Sequence, residues 1–141
     1  MRRPFRALLV EDNPGDVELT RDTLEESKVH IDIDVAVDGM QALSMLKRQP
    51  PYEAFELPDL IILDLNLPKV SGKEVLAEVK LHTELRSIPV VVLTSSDAET
   101  DIVKSYDLGA NCYLAKPVGL AAFQAIVRSV ESFWFTLVKL P

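Results

Sequence analysis

The chain has 141 residues, 48% hydrophobic and 26% charged, a composition typical of a single globular domain. A net charge of -7 disfavours binding to nucleic acid, because the phosphates would repel the chain. The single cysteine, Cys112, excludes an internal disulfide, and we find neither a signal peptide nor a segment long enough to span a membrane. These features predict a cytoplasmic protein without nucleic-acid or membrane partners.

Short apolar runs alternate with helix-like stretches along the whole chain. The pattern predicts five strands, at 5–10, 31–37, 59–64, 88–94 and 111–115. It predicts five helices, at 13–27, 38–49, 71–82, 97–109 and 119–135. The third and fourth strands are apolar on both faces, as central strands of a parallel sheet are. Five successive βα units predict an α/β fold with helices on both faces of a parallel sheet.

Polar side chains stand at the ends of four predicted strands. Glu11 and Asp12 follow the first strand, and Asp64 ends the third. Thr94 ends the fourth strand, and Lys116 follows the fifth. Because the C-terminal ends of parallel strands share one edge of the sheet, where ligands bind, we expect these five side chains to form one site.

The residue types at this edge favour phosphoryl transfer to Asp64. Three neighbouring carboxylates need a proton or a cation to compensate their charge, and oxygen ligands in an open site suit Mg²⁺. An aspartate can attack phosphorus, while a hydroxyl (Thr94) and an ammonium (Lys116) can bind the phosphoryl oxygens. A single acid after a strand is most often a turn or cap residue, so the hypothesis depends on all five residues together.

Four segments resemble, in order and spacing, the motifs of two-component response-regulator receiver domains. They are "LLVEDNPGD", "LIILDLNLPKVSG", "VVVLTSS" and "GANCYLAKPV". The family fold is a doubly wound five-stranded parallel sheet of order 2-1-3-4-5. The resemblance implies a stand-alone receiver over residues 1–141, because the five βα units leave no room for an output domain. It also implies a partner histidine kinase as the phosphoryl donor, and a signalling switch more than an enzyme.

The resemblance implies roles in phosphoryl binding and switching. Asp64 would be the phospho-acceptor, and Thr94 and Lys116 would bind the phosphoryl group. Tyr113 falls where the family has a rotating aromatic switch. The peptide bond between Lys116 and Pro117 would be cis, as it is in the family.

The resemblance also implies a metal set and a route for the water that removes the phosphoryl group. Asp12 and Asp64 would bind Mg²⁺, Glu11 would act through water, and Asn66 would contribute its backbone carbonyl. In the family, the positions two residues after the acceptor and two after the switch threonine flank the attacking water. These are Asn66 and Ser96, which carry no charge and predict an intermediate rate of self-dephosphorylation.

A narrower resemblance concerns an insertion and the C-terminal end. "PPYEAFELP" and "FWFTLVKLP" are similar to segments of small response regulators that partner cyanobacterial phytochromes. Phe133, Trp134 and Phe135 are consecutive, and one helix cannot turn three neighbours toward one core. We therefore expect residues 133–141 to form an apolar partner or dimer surface, and we expect a homodimer that uses the C-terminal helix and the face of the fifth strand. The alternative is a tail folded back on its own domain.

Two other functions would use part of the same pattern. A Mg²⁺-dependent phosphatase of the haloacid-dehalogenase type also uses an aspartate nucleophile. It needs an acid two positions later, where this chain has Asn66. A flavodoxin-like electron carrier needs a phosphate-binding loop after the first strand, where "VEDNPGD" is acidic and would repel a phosphate.

Overall fold

The computed structural model of the chain describes residues 4–26, 30–67, 70–104, 109–117, 119, 121–126 and 128. Strands and helices alternate in the described ranges. They are β1 (Phe5–Val10), α1 (Pro14–Glu25), β2 (Ile31–Ala36), α2 (Gly39–Leu46), β3 (Leu60–Asp64), α3 (Gly72–Leu81), β4 (Val90–Thr94), α4 (Asp97–Lys104) and β5 (Cys112–Ala115). Residues 121–126 are also helical.

The five strands form one parallel sheet in the order β2-β1-β3-β4-β5, which confirms the predicted fold. β3 and β4 lie inside the sheet, and all of their residues are buried. β2 lies at an edge and keeps most of its residues partly exposed. The two strands predicted to be apolar on both faces are therefore central in the sheet, and the strand with alternating polar residues lies at its edge.

The core has two parts, one on each face of the sheet. Successive residues of β1 belong to opposite parts, because side chains alternate across a strand. Leu8 and Val10 pack with the buried residues of α2 and α3. Leu9 packs instead with Leu24 of α1 and with Phe123 of the helical stretch 121–126. Helices therefore cover both faces, as the repeated βα pattern predicts.

Each helix from α1 to α4 follows a strand along the chain, and a polar side chain caps its first turn. At the start of each of these four helices, a side-chain oxygen accepts a hydrogen bond from a backbone N–H. These capping residues are Asn13 for α1, Asp38 for α2, Ser71 for α3 and Ser96 for α4. Such caps satisfy backbone donors that the helix itself leaves unpaired.

Several boundaries differ from the sequence prediction. β4 begins at Val90 rather than at residue 88, because Pro89 has no N–H to donate to a strand pairing. α2 ends at Leu46 rather than at residue 49, and Arg48 follows with a positive φ of 55°. The peptide bond between Lys116 and Pro117 is cis, as the family resemblance implied.

The structure describes only part of the predicted C-terminal helix. The predicted helix at 119–135 is described only at 119, 121–126 and 128. The predicted apolar partner surface at 133–141 lies outside the described residues. In the part of the chain that the structure describes, no helix has the length and apolarity needed to cross a membrane.

Candidate functional site

Lys116 joins the predicted site residues at the C-terminal edge of the sheet. Its ammonium Nζ donates to Oε1 of Glu11 at 3.0 Å and to Oδ2 of Asp64 at 3.1 Å. The backbone N–H of Lys116 donates to the carbonyl oxygen of Thr94 at 2.9 Å. The ends of β1, β3, β4 and β5 therefore meet, as the parallel sheet predicts.

Three carboxylates form an acidic cluster at this edge. One carboxylate oxygen from each of Glu11, Asp12 and Asp64 lies within 4.8 Å of the other two. Glu11 and Asp64 are buried, whereas Asp12 is exposed. A set of hard oxygen donors with one solvent-facing member fits a divalent cation that keeps part of its water. Asn66 is adjacent, since its backbone N–H donates to Oδ1 of Asp64 at 3.0 Å.

Burial and close charges shape the electrostatics of the cluster. Burial, reinforced by the neighbouring Asp64, raises the pKa of Glu11 to about 7, although the hydrogen bond from Lys116 acts in the opposite direction. Burial alone would lower the pKa of Lys116. Its hydrogen bonds to Asp16, Glu11 and Asp64 outweigh that effect and raise the pKa above its ordinary value. Lys116 is therefore a permanent cation among these carboxylates at neutral pH.

Thr94 is fully buried, and its hydroxyl bonds to its own surroundings rather than to the acidic cluster. The oxygen lies 3.1 Å from the carbonyl oxygen of Ser96 and 3.3 Å from that of Leu114. It also shares a hydrogen bond with the hydroxyl of Thr100 in α4. A hydroxyl held in this way would have to give up these bonds before it could bind a group on Asp64.

Tyr113 lies in β5 on the same face of the sheet as α2 and α3. Its ring is half-buried and packs against that part of the core. Its hydroxyl accepts a hydrogen bond from the backbone N–H of Ala110 at 3.4 Å. Leu114, whose carbonyl oxygen lies near the Thr94 hydroxyl, is the next residue along the strand. Among the described hydrogen bonds, none joins the side chains of Thr94 and Tyr113 directly. The two residues are connected through the backbone of β5, at the carbonyl of Leu114.

Two residues that sequence reasoning missed contact the predicted site residues. Oδ2 of Asp16 accepts a hydrogen bond from Nζ of Lys116 at 2.9 Å. Thr100 bonds to the Thr94 hydroxyl. A usable signal existed for Asp16, because the first turn of a helix that follows β1 must begin at the same edge of the sheet.

Glu99 is a third residue that sequence reasoning missed. The sequence prediction of an intermediate rate of self-dephosphorylation rests on the uncharged side chains of Asn66 and Ser96 alone. In the structure the carboxylate of Glu99 contacts Asn66, since its Oε1 accepts a hydrogen bond from Nδ2 of Asn66 at 3.0 Å. The spacing of Ser96 and Glu99 is the S-x-x-E signature of a helix start, which could have drawn attention to it.

A family model described as the response regulator receiver domain matches residues 7–128. The chain is a response regulator receiver domain. It is therefore a phosphoacceptor switch rather than a conventional enzyme, and receiver domains imply a partner histidine kinase. The haloacid-dehalogenase and flavodoxin alternatives are thereby set aside.

The chain is similar to three response regulators over most of its length. Rcp1 of Synechocystis sp. is 46% identical over 98% of this chain and 94% of its own length. A Mn²⁺-bound form of Rcp1 superposes with a TM-score of 0.74 over 98% of this chain and 99% of that one, at 45% identity. The bacteriophytochrome response regulator RtBRR has a TM-score of 0.82 and 49% identity, covering 91% of this chain and 78% of its own.

The third similar protein is the phosphorylated cyanobacterial phytochrome response regulator RcpA. Its structure has a TM-score of 0.76 and 44% identity, and the match covers 99% of each chain. The receiver domain described above is thus related to phytochrome response regulators over nearly its whole length.

Proposed function

We propose that this receiver domain accepts a phosphoryl group on Asp64 from a histidine kinase and then signals through phosphorylation-dependent protein contacts. The observation that carries the proposal is the contact between Asp64 and Lys116 inside the acidic cluster. Asp64 is 2% exposed, and its Oδ2 lies 3.1 Å from the ammonium. No other described aspartate combines the end of a central strand with this partner. The phosphorylated state of the similar protein RcpA supports the same chemistry.

The transfer requires an oxygen of Asp64 to attack the phosphorus of a phosphohistidine. A P–O bond forms, the P–N bond breaks, and its electron pair stays on the imidazole nitrogen. The phosphoryl group brings negative charge into an edge that already holds Glu11 and Asp64. The ammonium of Lys116 offsets that charge and can donate to the phosphoryl oxygens.

Glu11, Asp12 and Asp64 would hold Mg²⁺, with the backbone carbonyl of Asn66 as a further ligand. The donor set supports this, because three carboxylate oxygens within 4.8 Å of one another match the preference of Mg²⁺ for hard oxygen ligands. When bound, the cation would offset the charge of the carboxylates and of the phosphoryl group. The Mn²⁺-bound form of Rcp1 is a precedent for a divalent cation in a similar protein.

Thr94 and Tyr113 would convert phosphorylation into a change of shape. Thr94 would leave its bonds to Ser96, Leu114 and Thr100 and donate to the phosphoryl group. That movement would free space and allow the ring of Tyr113 to turn inward. Two alternative arrangements of packed side chains form a bistable element that a phosphoryl group can bias.

The pathway and the assembly are also part of the proposal. Two of the three similar proteins are named as phytochrome response regulators, which supports a phytochrome-type kinase as the partner. This chain matches Rcp1 over 94% of that protein's length, which supports a likeness to small response regulators. A homodimer through the C-terminal helix and the face of β5 stays a prediction from the sequence, as does a cytoplasmic location.

The test is labelling by a small phosphodonor such as phosphoramidate, followed by intact mass. We expect the wild-type protein to gain one phosphoryl group with Mg²⁺ and none with a chelator. Asp64→Asn should gain none, because an amide is not a nucleophile toward phosphorus. Asp59→Asn is the matched control, since Asp59 is a buried aspartate that precedes the same strand. Labelling of Asp64→Asn at the wild-type rate would refute Asp64 as the acceptor.

A further inference from the structure

Glu99 ties together two loops at the mouth of the site. Its Oε1 accepts three hydrogen bonds: from Nδ2 of Asn66 at 3.0 Å, from the backbone N–H of Ser95 at 2.9 Å, and from the hydroxyl of Ser95 at 3.3 Å. Asn66 lies after β3 and Ser95 lies after β4. We call this arrangement the Glu99 bridge, meaning Glu99 with its contacts to Asn66 and Ser95.

The Glu99 bridge fixes the orientation of the Asn66 side-chain amide. An ionised carboxylate only accepts hydrogen bonds, so the NH₂ group of Asn66 has to face it. The same NH₂ group also donates to the hydroxyl oxygen of Ser95 at 3.1 Å, which uses both of its hydrogens. The remaining polar atom of the amide is the carbonyl oxygen Oδ1, which can only accept. Exchanging the amide's two ends would set its carbonyl oxygen against the Glu99 carboxylate, and that hydrogen bond would be lost.

The oriented amide stands beside the acceptor. The backbone N–H of Asn66 donates to Oδ1 of Asp64 at 3.0 Å, which holds the Asn66 residue next to that carboxylate. The side chain of Asn66 is exposed, so water reaches it. A water molecule that attacks phosphorus must direct a lone pair at it and a hydrogen at an acceptor. An amide carbonyl binds a water in that sense, whereas an amide NH₂ would occupy the lone pair.

We propose that Glu99 is a positioning residue for hydrolysis of the phosphorylated domain, acting through Asn66; this rests on the proposed function. In that step the oxygen of water bonds to phosphorus while the bond between phosphorus and Asp64 breaks. The electron pair of the broken bond stays on the carboxylate. Both hydrogens of the water leave with the phosphate as dihydrogen phosphate, which then equilibrates with solvent. Glu99 itself contacts neither the phosphorus nor the water.

Removal of the bridge is expected to lengthen the lifetime of the phosphorylated form. In Glu99→Ala the Asn66 amide loses its anionic acceptor and keeps only its bond to the Ser95 hydroxyl, which can accept from the NH₂ group or donate to the carbonyl oxygen and so no longer fixes one orientation. We expect decay about three-fold to ten-fold slower than in the wild type, because loss of an oriented contact lowers the fraction of productive encounters. Glu99→Gln keeps an oxygen that accepts from Asn66 and Ser95, so its decay should stay within about two-fold of wild type.

The matched control is Glu74→Ala. Glu74 stands three residues after Ser71, which caps α3, just as Glu99 stands three residues after Ser96, which caps α4. Both substitutions remove an acid from the first turn of a helix, a change that affects helix stability modestly. Only Glu99 reaches Asn66. Glu74→Ala should therefore decay at the wild-type rate, and a slowing equal to that of Glu99→Ala would overturn the proposal.

The experiment follows the phosphorylated fraction by intact mass after the phosphodonor is removed. It compares wild type, the three variants above, Asn66→Ala, and the double variant Asn66→Ala with Glu99→Ala. If Glu99 acts through Asn66, the second substitution adds nothing once Asn66 is gone. A further slowing in the double variant, or a Gln variant as slow as the Ala variant, would refute the positioning role.

The outcomes separate this inference from the proposed function. If the wild type gains no phosphoryl group on Asp64, the proposed function fails. If the wild type is labelled normally and Glu99→Ala decays at the wild-type rate, only the role of Glu99 fails. Thermal unfolding of each variant identifies any that does not fold, and the Gln variant then still tests the hydrogen bond.

Discussion

Replacing Gly72 with alanine is expected to destabilise the domain and to disturb Asp64 at the same time. Gly72 is the first residue of α3, and an added Cβ would lie 2.5 Å from the carbonyl oxygen of Asp64. It would also lie 2.7 Å from Cα and 2.9 Å from the carbonyl oxygen of Leu65. All three are backbone atoms, which cannot rotate out of the way. Relief therefore requires α3 or the end of β3 to move.

The expected magnitude follows from these contacts. Overpacking a well-packed core costs about 1–3 kcal/mol, and three backbone contacts below 3.0 Å favour the upper end of that range. Replacing glycine also reduces the entropy of the unfolded chain, which offsets about 0.4–1 kcal/mol. The net loss in the free energy of unfolding is about 2 kcal/mol. For a chain of this length, that corresponds to a fall in Tm of about 4–8 °C.

Gly119→Ala makes the same covalent change at a position where it should not destabilise the domain. A Cβ at Gly119 would meet nothing within 4 Å. We expect its unfolding free energy to be unchanged or to rise by up to about 1 kcal/mol, through the unfolded chain alone.

The assay is thermal and urea unfolding, followed by far-ultraviolet circular dichroism. Phosphodonor labelling is then measured at a temperature at which both variants are folded. Gly72→Ala should unfold earlier and label more slowly than Gly119→Ala. Equal unfolding midpoints for the two variants would refute the packing argument. An earlier midpoint with normal labelling would show that α3 yields and that the end of β3 does not.

Two further predictions concern the metal and the switch. Asp12→Ala should weaken Mg²⁺ binding by about ten-fold or more, because it removes the exposed anionic ligand of the cluster. Titration calorimetry measures this against Asp22→Ala, an exposed acid on α1, and equal affinities would contradict the metal site. Thr94→Ala should accept a phosphoryl group on Asp64 yet lose the phosphorylation-dependent change around Tyr113, followed by NMR. A wild-type change in that variant would show that Thr94 does not couple the two.

The fold could be predicted because each level of the sequence pointed the same way. The apolar runs ending at Asp64 and Thr94 predict buried central strands, since no other position in a parallel sheet buries both faces. The charged and hydroxyl side chains at the strand ends then had to share one edge. Boundaries were less certain where local chemistry competed with the pattern. At Pro89 a missing N–H shortened the strand, although the apolar run continued through it.

Contacts made across the sheet edge could not be read from the chain. Asp16 and Lys116 are 100 positions apart, and Asn66 and Glu99 are 33 apart. Their meeting depends on how far a helix turn carries a side chain back toward the strand ends. Reasoning from single positions considered only the uncharged side chains of Asn66 and Ser96. It therefore missed the carboxylate of Glu99, which α4 supplies. The hydrogen bonds of the Thr94 hydroxyl to Ser96 and Thr100 could not be predicted from the sequence either.

The amino-acid sequence by itself determined the α/β class, the order of its elements and the residue types that meet at one edge of the sheet. It could do so because burial and hydrogen bonding act locally, on the period of a strand or a helix. Only the tertiary structure decided which of those groups bond to one another, which are buried, and that Glu99 orients Asn66. Those properties depend on distances between separate elements, and they arise only when the sheet and its helices pack.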